Sequence, residues 1–150
     1  MCIYLDNCCY NRPFDDQNQL KVRLETVTKL AVQMMMALGS VEYAWSKVLD
    51  YEISFNPCPK RKASIIWWKV GAAVYVEMTE EIIKRGESIE MHGIKPKDAL
   101  HLASAEKAGC DFFLTTDRGI LKKFSTLGGM KIMNPIQFIT EVCNDGDSHV

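Results

Sequence analysis

Short apolar runs alternate with helix-patterned segments along the whole chain, and no other feature constrains the fold as strongly. CIYL (2–5), EYAWS (42–46), AVYVEM (73–78), DFFLTT (111–116) and MKIMN (130–134) read as strands. Between and after them, 20–38, 47–54, 60–70, 80–91, 97–108, 118–124 and 135–142 carry helical spacing, with Thr79 as a cap and Pro135 at a helix start. Strands joined by helical crossovers are parallel and buried on both faces. The expected fold is therefore α/β, a three-layer α/β/α sandwich around a central, mostly parallel five-stranded sheet. With 150 residues, 47% of them hydrophobic, the chain suits one domain over 1–143, and 144–150 reads as a frayed tail.

The first long helix has apolar residues Leu20, Leu24, Val27, Ala31, Met34 and Leu38 at helical spacing, which predicts a core-facing stripe ended by Gly39. Met34, Met35 and Met36 read as core in the same way. Trp67 and Trp68 could stack on bases, but in a helix they read as core and partner surface.

The acids follow from the topology. In parallel sheets ligands sit outside the carboxyl ends of the strands. Asp6 follows the first strand and Asp117 the fourth, so both lie at that edge. Asp98 opens a helix that feeds the fourth strand. Eleven helical residues span roughly 16 Å, about a five-residue strand, so Asp98 begins at the same edge. Glu52 lies two turns into the helix after the second strand, with Asp50 and Glu42 as competitors. Asp50 and Glu52 point about 200° apart, so only one of them can face the crevice. Taken singly, Asp98 and Asp117 read equally well as helix-end acids. Together, four carboxylates in one crevice repel unless a cation compensates, and oxygen donors favour Mg²⁺ or Mn²⁺.

Three stretches carry a family resemblance: YLDN…RPFDD at the start, SKVLDYE…NP in the middle, and KDALHLASAEKAGCDFFLTTDRGILKK near the end. From Cys2 to about Val142 the chain resembles PIN-domain proteins, Rossmann-like metal-dependent ribonucleases, many of them toxins of the virulence-associated protein C type. The resemblance implies an acidic quartet of Asp6, Glu52, Asp98 and Asp117 as catalytic residues and as ligands of Mg²⁺ or Mn²⁺. It places Thr115 as a hydroxyl neighbour and Asn7 as an orienting group. It further implies hydrolysis of RNA to 5′-phosphate and 3′-hydroxyl ends, an antitoxin partner and a homodimer.

An acidic pocket needs basic residues around it to hold an RNA backbone. Arg12, Lys95, Lys97 and Arg118 adjoin the acid motifs. Lys60-Arg61-Lys62 lies farther off and reads equally well as a solvated helix start. His101, one turn after Asp98, is placed to reach a carboxylate, although a packed helix histidine accounts for it as simply.

A net charge of −1 excludes a strong global pull toward nucleic acid or membrane. The six cysteines form no CxxC pair and read as reduced thiols in a cytoplasm, with Cys8 and Cys9 given no role. No signal peptide and no membrane span is expected. Two other classes compete. One is a PIN-like RNA- or protein-binding module with a weak site. The other is a phosphoryl-transfer receiver, which fits poorly because the third strand runs into VEMTEE and Asn134-Pro135 follows the fifth.

Overall fold

The computed structural model describes residues 1–11 and 17–143. Arg12 and the expected tail at 144–150 lie outside the described residues. Six strands form the sheet: β1 (Cys2–Leu5), β2 (Glu42–Ser46), β3 (Val74–Val76), β4 (Phe112–Leu114), β5 (Thr126–Leu127) and β6 (Met130–Met133). Their order is β3-β2-β1-β4-β6-β5. All neighbours pair in parallel except β5 and β6, which are antiparallel.

The sheet is thus mostly parallel, with one strand more than the five expected. The extra strand is a two-residue edge segment joined to β6 by Gly128 and Gly129, both at positive φ. Glycine enters that backbone region without steric penalty, and a Gly-Gly turn lets so short a strand fold back.

The chain first builds outward from β1 to β2 and β3. It then returns to place β4 on the other side of β1, so the strand order reverses between β1 and β4. These two strands are the centre of the molecule. Ile3, Tyr4, Leu5, Phe113 and Leu114 are all fully buried, as strands covered on both faces require.

The helices are α1 (Asn7–Asn11), α2 (Leu20–Ala37), α3 (Lys47–Ser54), α4 (Pro59–Ile66), α5 (Glu80–Glu90), α6 (Pro96–Lys107), α7 (Arg118–Lys123) and α8 (Pro135–Gln137). A 3₁₀ turn (Trp67–Gly71) extends α4 and a π-helical segment (Phe138–Cys143) extends α8. They pack in groups: α5 on α6, α3 on α6, and α2 on α8 and its π extension.

Helix α2 corrects the expected core stripe. Leu20, Leu24, Val27, Met34 and Leu38 are exposed, and the buried face is Glu25, Lys29, Val32 and Met36. The two sets keep the same spacing, offset by about one residue, which is a rotation of roughly 100°. The Lys29 ammonium, fully buried, donates to the Cys8 carbonyl at 3.0 Å and ties α2 to α1. Trp68 packs on the core edge-on to Tyr43, while Trp67 is exposed.

Candidate functional site

Asp6 leaves β1 at the point where the strand order reverses. It is 5% exposed, and its carboxylate is surrounded by donors. Oδ1 accepts from the Asn7 backbone N–H at 2.8 Å. Oδ2 accepts from the Thr115 hydroxyl at 2.8 Å and from the Cys8 thiol at 3.5 Å. Thr115 follows β4 directly and also accepts from the Asp117 N–H at 3.0 Å. One hydroxyl thus links the acid after β1 to the acid after β4.

Asp117 does cap α7. Its Oδ1 accepts from the Gly119 N–H at 2.7 Å and the Ile120 N–H at 3.3 Å. No described residue donates to its Oδ2, so capping leaves one oxygen for another ligand.

Glu52 comes from α3, whose start is fixed by Ser46: the serine hydroxyl accepts from the Leu49 N–H at 3.1 Å. Glu52 Oε1 lies 2.5 Å from His101 Nε2, and Oε2 accepts from the Asn7 amide at 2.9 Å. Burial pushes the Glu52 carboxyl up. Contact with His101, the Asn7 amide and nearby Lys97 outweigh it and hold the group below the usual glutamate range.

The competing acids lie elsewhere. Asp50 accepts from Trp45 Nε1 (2.8 Å), Lys69 Nζ (3.1 Å) and the Tyr75 hydroxyl (2.5 Å). Glu42 opens β2 at the opposite, amino edge.

Asp98 stands in the first turn of α6 behind Pro96, and no described residue hydrogen-bonds its carboxylate. Burial, then the negative charges of Asp6 and Asp117, push it up to about 6; Glu52 adds to this and His101 opposes it. Asp98 is thus near enough to feel the charges of the other three acids, although it and Asp117 lie outside the tightest cluster. Oxygens of Asp6 and Glu52 and a ring nitrogen of His101 lie within 4.8 Å of one another. Among the basic residues expected at the rim, Lys95 and Lys97 flank Pro96 at the start of α6 and Arg118 opens α7. All three are exposed.

Sequence reasoning left several contributors to this crevice without a role. Tyr4 and Ser46 connect to His101 through buried hydroxyls. The Cys8 thiol sits against Thr115 at 3.5 Å and accepts from the Thr116 hydroxyl at 3.2 Å. Their signal is positional: Cys8 is two residues past a strand-end acid, and Ser46 is the last residue before a helix. All six cysteines are free thiols; Cys2 and Cys110 approach to 3.6 Å between sulfurs.

No curated protein sequence matches the chain. Among solved structures, VapBC2 from Rickettsia felis bound to a DNA fragment from their promoter is similar in fold, with a TM-score of 0.52 and 14% identity. The likeness covers 89% of this chain and 98% of that one. The PIN domain family matches residues 49–125, just over half of the sequence and inclusive of Glu52, Asp98 and Asp117. The chain belongs to the PIN domain family.

Proposed function

We propose that this chain is a metal-dependent endoribonuclease and that Asp6, Glu52, Asp98 and Asp117 hold a Mg²⁺ or Mn²⁺ ion, in keeping with the general nuclease character of PIN domains. The supporting observation is the cluster of Asp6, Glu52 and His101 at the reversal point of the sheet, with ligand atoms within 4.8 Å of one another and Asp117 tied to Asp6 through Thr115. Two further features fit a cation. The Asn7 side-chain oxygen is buried there with no hydrogen-bond partner, which is costly unless something else satisfies it. The donors are also mostly hard oxygens. When bound, such an ion neutralises the crowded acids and lowers the pKa of a water for attack on phosphorus.

The protein's own groups do the placing. Thr115 holds Asp6 and Asp117 in mutual register, and Asn7 bridges Asp6 and Glu52. Lys95, Lys97 and Arg118 would carry the phosphate backbone past the acids, with Arg12 as a fourth cation. The test is cleavage of a labelled structured RNA with Mg²⁺, with EDTA, and by Asp117→Asn. Asparagine retains the oxygen that caps α7, so this variant separates chemistry from folding. Cleavage should stop in both controls; cleavage that persists in EDTA would end the metal reading.

We further propose a toxin role in the cytoplasm, with an antitoxin as partner and with self-association. Among the described residues no helix is long and apolar enough to cross a membrane. The exposed stripe on α2 runs to Leu38, where Met36, Tyr43, Trp67, Trp68 and Val70 line a concavity of about 420 Å³. Apolar side chains exposed along one helix face suit a protein-binding role, and a second copy of the chain is the occupant we favour. Val27 and Met34 are each 64% exposed, so Val27→Glu with Met34→Glu should leave the fold stable to within about 0.5 kcal/mol per site. It should also reduce the sedimentation mass from dimer to monomer. A monomeric wild type would reject self-association through this face.

A further inference from the structure

We propose that His101 is a positioning residue that fixes Glu52 in the crevice, and that Tyr4 and Ser46 in turn fix His101. The proposal takes its functional consequence from the nuclease reading, but its geometry stands apart from it. Tyr4, Ser46 and His101 are all 0% exposed, and polar groups so deep are costly unless each finds a partner. They find one another. The Tyr4 hydroxyl is 2.6 Å from Ser46 Oγ and 2.6 Å from His101 Nδ1, and His101 Nε2 is 2.5 Å from Glu52 Oε1.

The far end of this chain decides what it can do. Ser46 Oγ already accepts from the Leu49 N–H, and a backbone amide is no exit for a proton. The chain is a dead end inside the protein, so its contribution is geometric. Every proton in it can run one way: Leu49 N–H to Ser46, Ser46 O–H to Tyr4, Tyr4 O–H to His101 Nδ1, and Nε2–H to Glu52.

The rings are clamped as well. Tyr4 stacks on Phe113 with centroids 5.3 Å apart and planes within 9°. It meets His101 edge-on at 5.7 Å. Glu52 is thereby held on both oxygens, by His101 from α6 and by Asn7 from α1. Because α6 also carries Asp98 one turn earlier, the same contacts set the spacing between Asp98 and Glu52.

The test is a double-mutant cycle in Mn²⁺ affinity, measured by calorimetry on His101→Ala, Glu52→Gln and the double variant, with folding checked by thermal unfolding. His101→Ala should weaken Mn²⁺ roughly 10–100-fold, as loss of an outer orienting partner does. It should add little once residue 52 is glutamine. Losses that multiply independently would overturn the proposal. His101→Gln, which keeps an N–H within reach, should recover most of the affinity.

If His101→Ala does not fold, Tyr4→Phe takes its place in the cycle with a loss nearer 10-fold, since it removes one oxygen and keeps the stack on Phe113. A second measurement needs no ion. In ¹⁵N-labelled metal-free protein, the His101 Nε2 proton should exchange slowly and shift on Glu52→Gln. Absence of that proton in the wild type would overturn the proposal. Failure of the wild type to bind Mn²⁺ would instead strike the nuclease reading, and the nitrogen spectrum would then decide this one.

Discussion

Asp98→Asn should raise the melting temperature of the metal-free protein while removing its Mn²⁺ binding. The carboxylate has no hydrogen-bond donor among the described residues, and burial with the charges of Asp6 and Asp117 pushes its pKa up to about 6. The unfolded chain holds the same group near 3.9. Between those values the folded protein binds the proton more tightly than the unfolded one, so stability falls as pH rises from about 4 to about 6. Above that window the whole penalty is present. A rise of that size corresponds to about 3 kcal/mol before solvent screening, and the part-exposed carboxylate reduces this to about 1–2 kcal/mol. An asparagine carries no charge to repel. At pH 7 the variant should melt higher by about 2–4 °C for each kcal/mol relieved in a chain of this size. Below pH 4 the difference should vanish. A variant that melts lower than the wild type at pH 7 would contradict the crowding of charge on which the site depends.

Asp6→Asn should lose Mn²⁺ binding too, with the opposite effect on stability. Asp6 is almost fully buried and accepts from the Asn7 N–H, the Thr115 hydroxyl and the Cys8 thiol. A carboxylate only accepts, whereas an amide must turn its NH₂ toward one of those donors. The expected destabilisation is about 1–3 kcal/mol, the usual cost of a buried polar group left without its partner. Denaturant unfolding reads the loss directly. The fall in Mn²⁺ affinity should exceed the roughly 10–100-fold that an outer orienting residue supplies. Wild-type stability in this variant would mean that the donors around Asp6 can rearrange freely. The two substitutions make the same chemical change in different surroundings, and the sign of the stability effect follows from the donors present.

Much of this arrangement was legible in the sequence, for a physical reason. Central parallel strands must be apolar on both faces, so CIYL and DFFLTT declare themselves and the acids that follow them are placed by topology. The misreadings have causes of the same kind. Thr126–Leu127 is too short to show a period, and only the Gly-Gly turn announces it. Helix α2 has apolar residues on more than one side, so periodicity gave the spacing and not the rotation. The buried choice was made by Lys29 reaching the Cys8 carbonyl and by packing on α8. Glu52 and Asp50 were separable in angle, but which one faced inward depended on the pull of Trp45, Lys69 and Tyr75 on Asp50. The buried Tyr4–Ser46 contact joins residues 42 positions apart and has no local pattern at all.

The four proposed ligands come from β1, α3, α6 and the turn after β4, segments that only the finished fold brings to one edge of the sheet. In an unfolded chain these four carboxylates are far apart along the sequence. An ion held as proposed would be a ligand of the native state alone, and by mass action would stabilise that state by RT ln(1 + [M]/Kd), about 2.7 kcal/mol at a hundredfold excess over Kd. On that reading, cation concentration would govern how long the protein survives as well as the rate of the proposed cleavage.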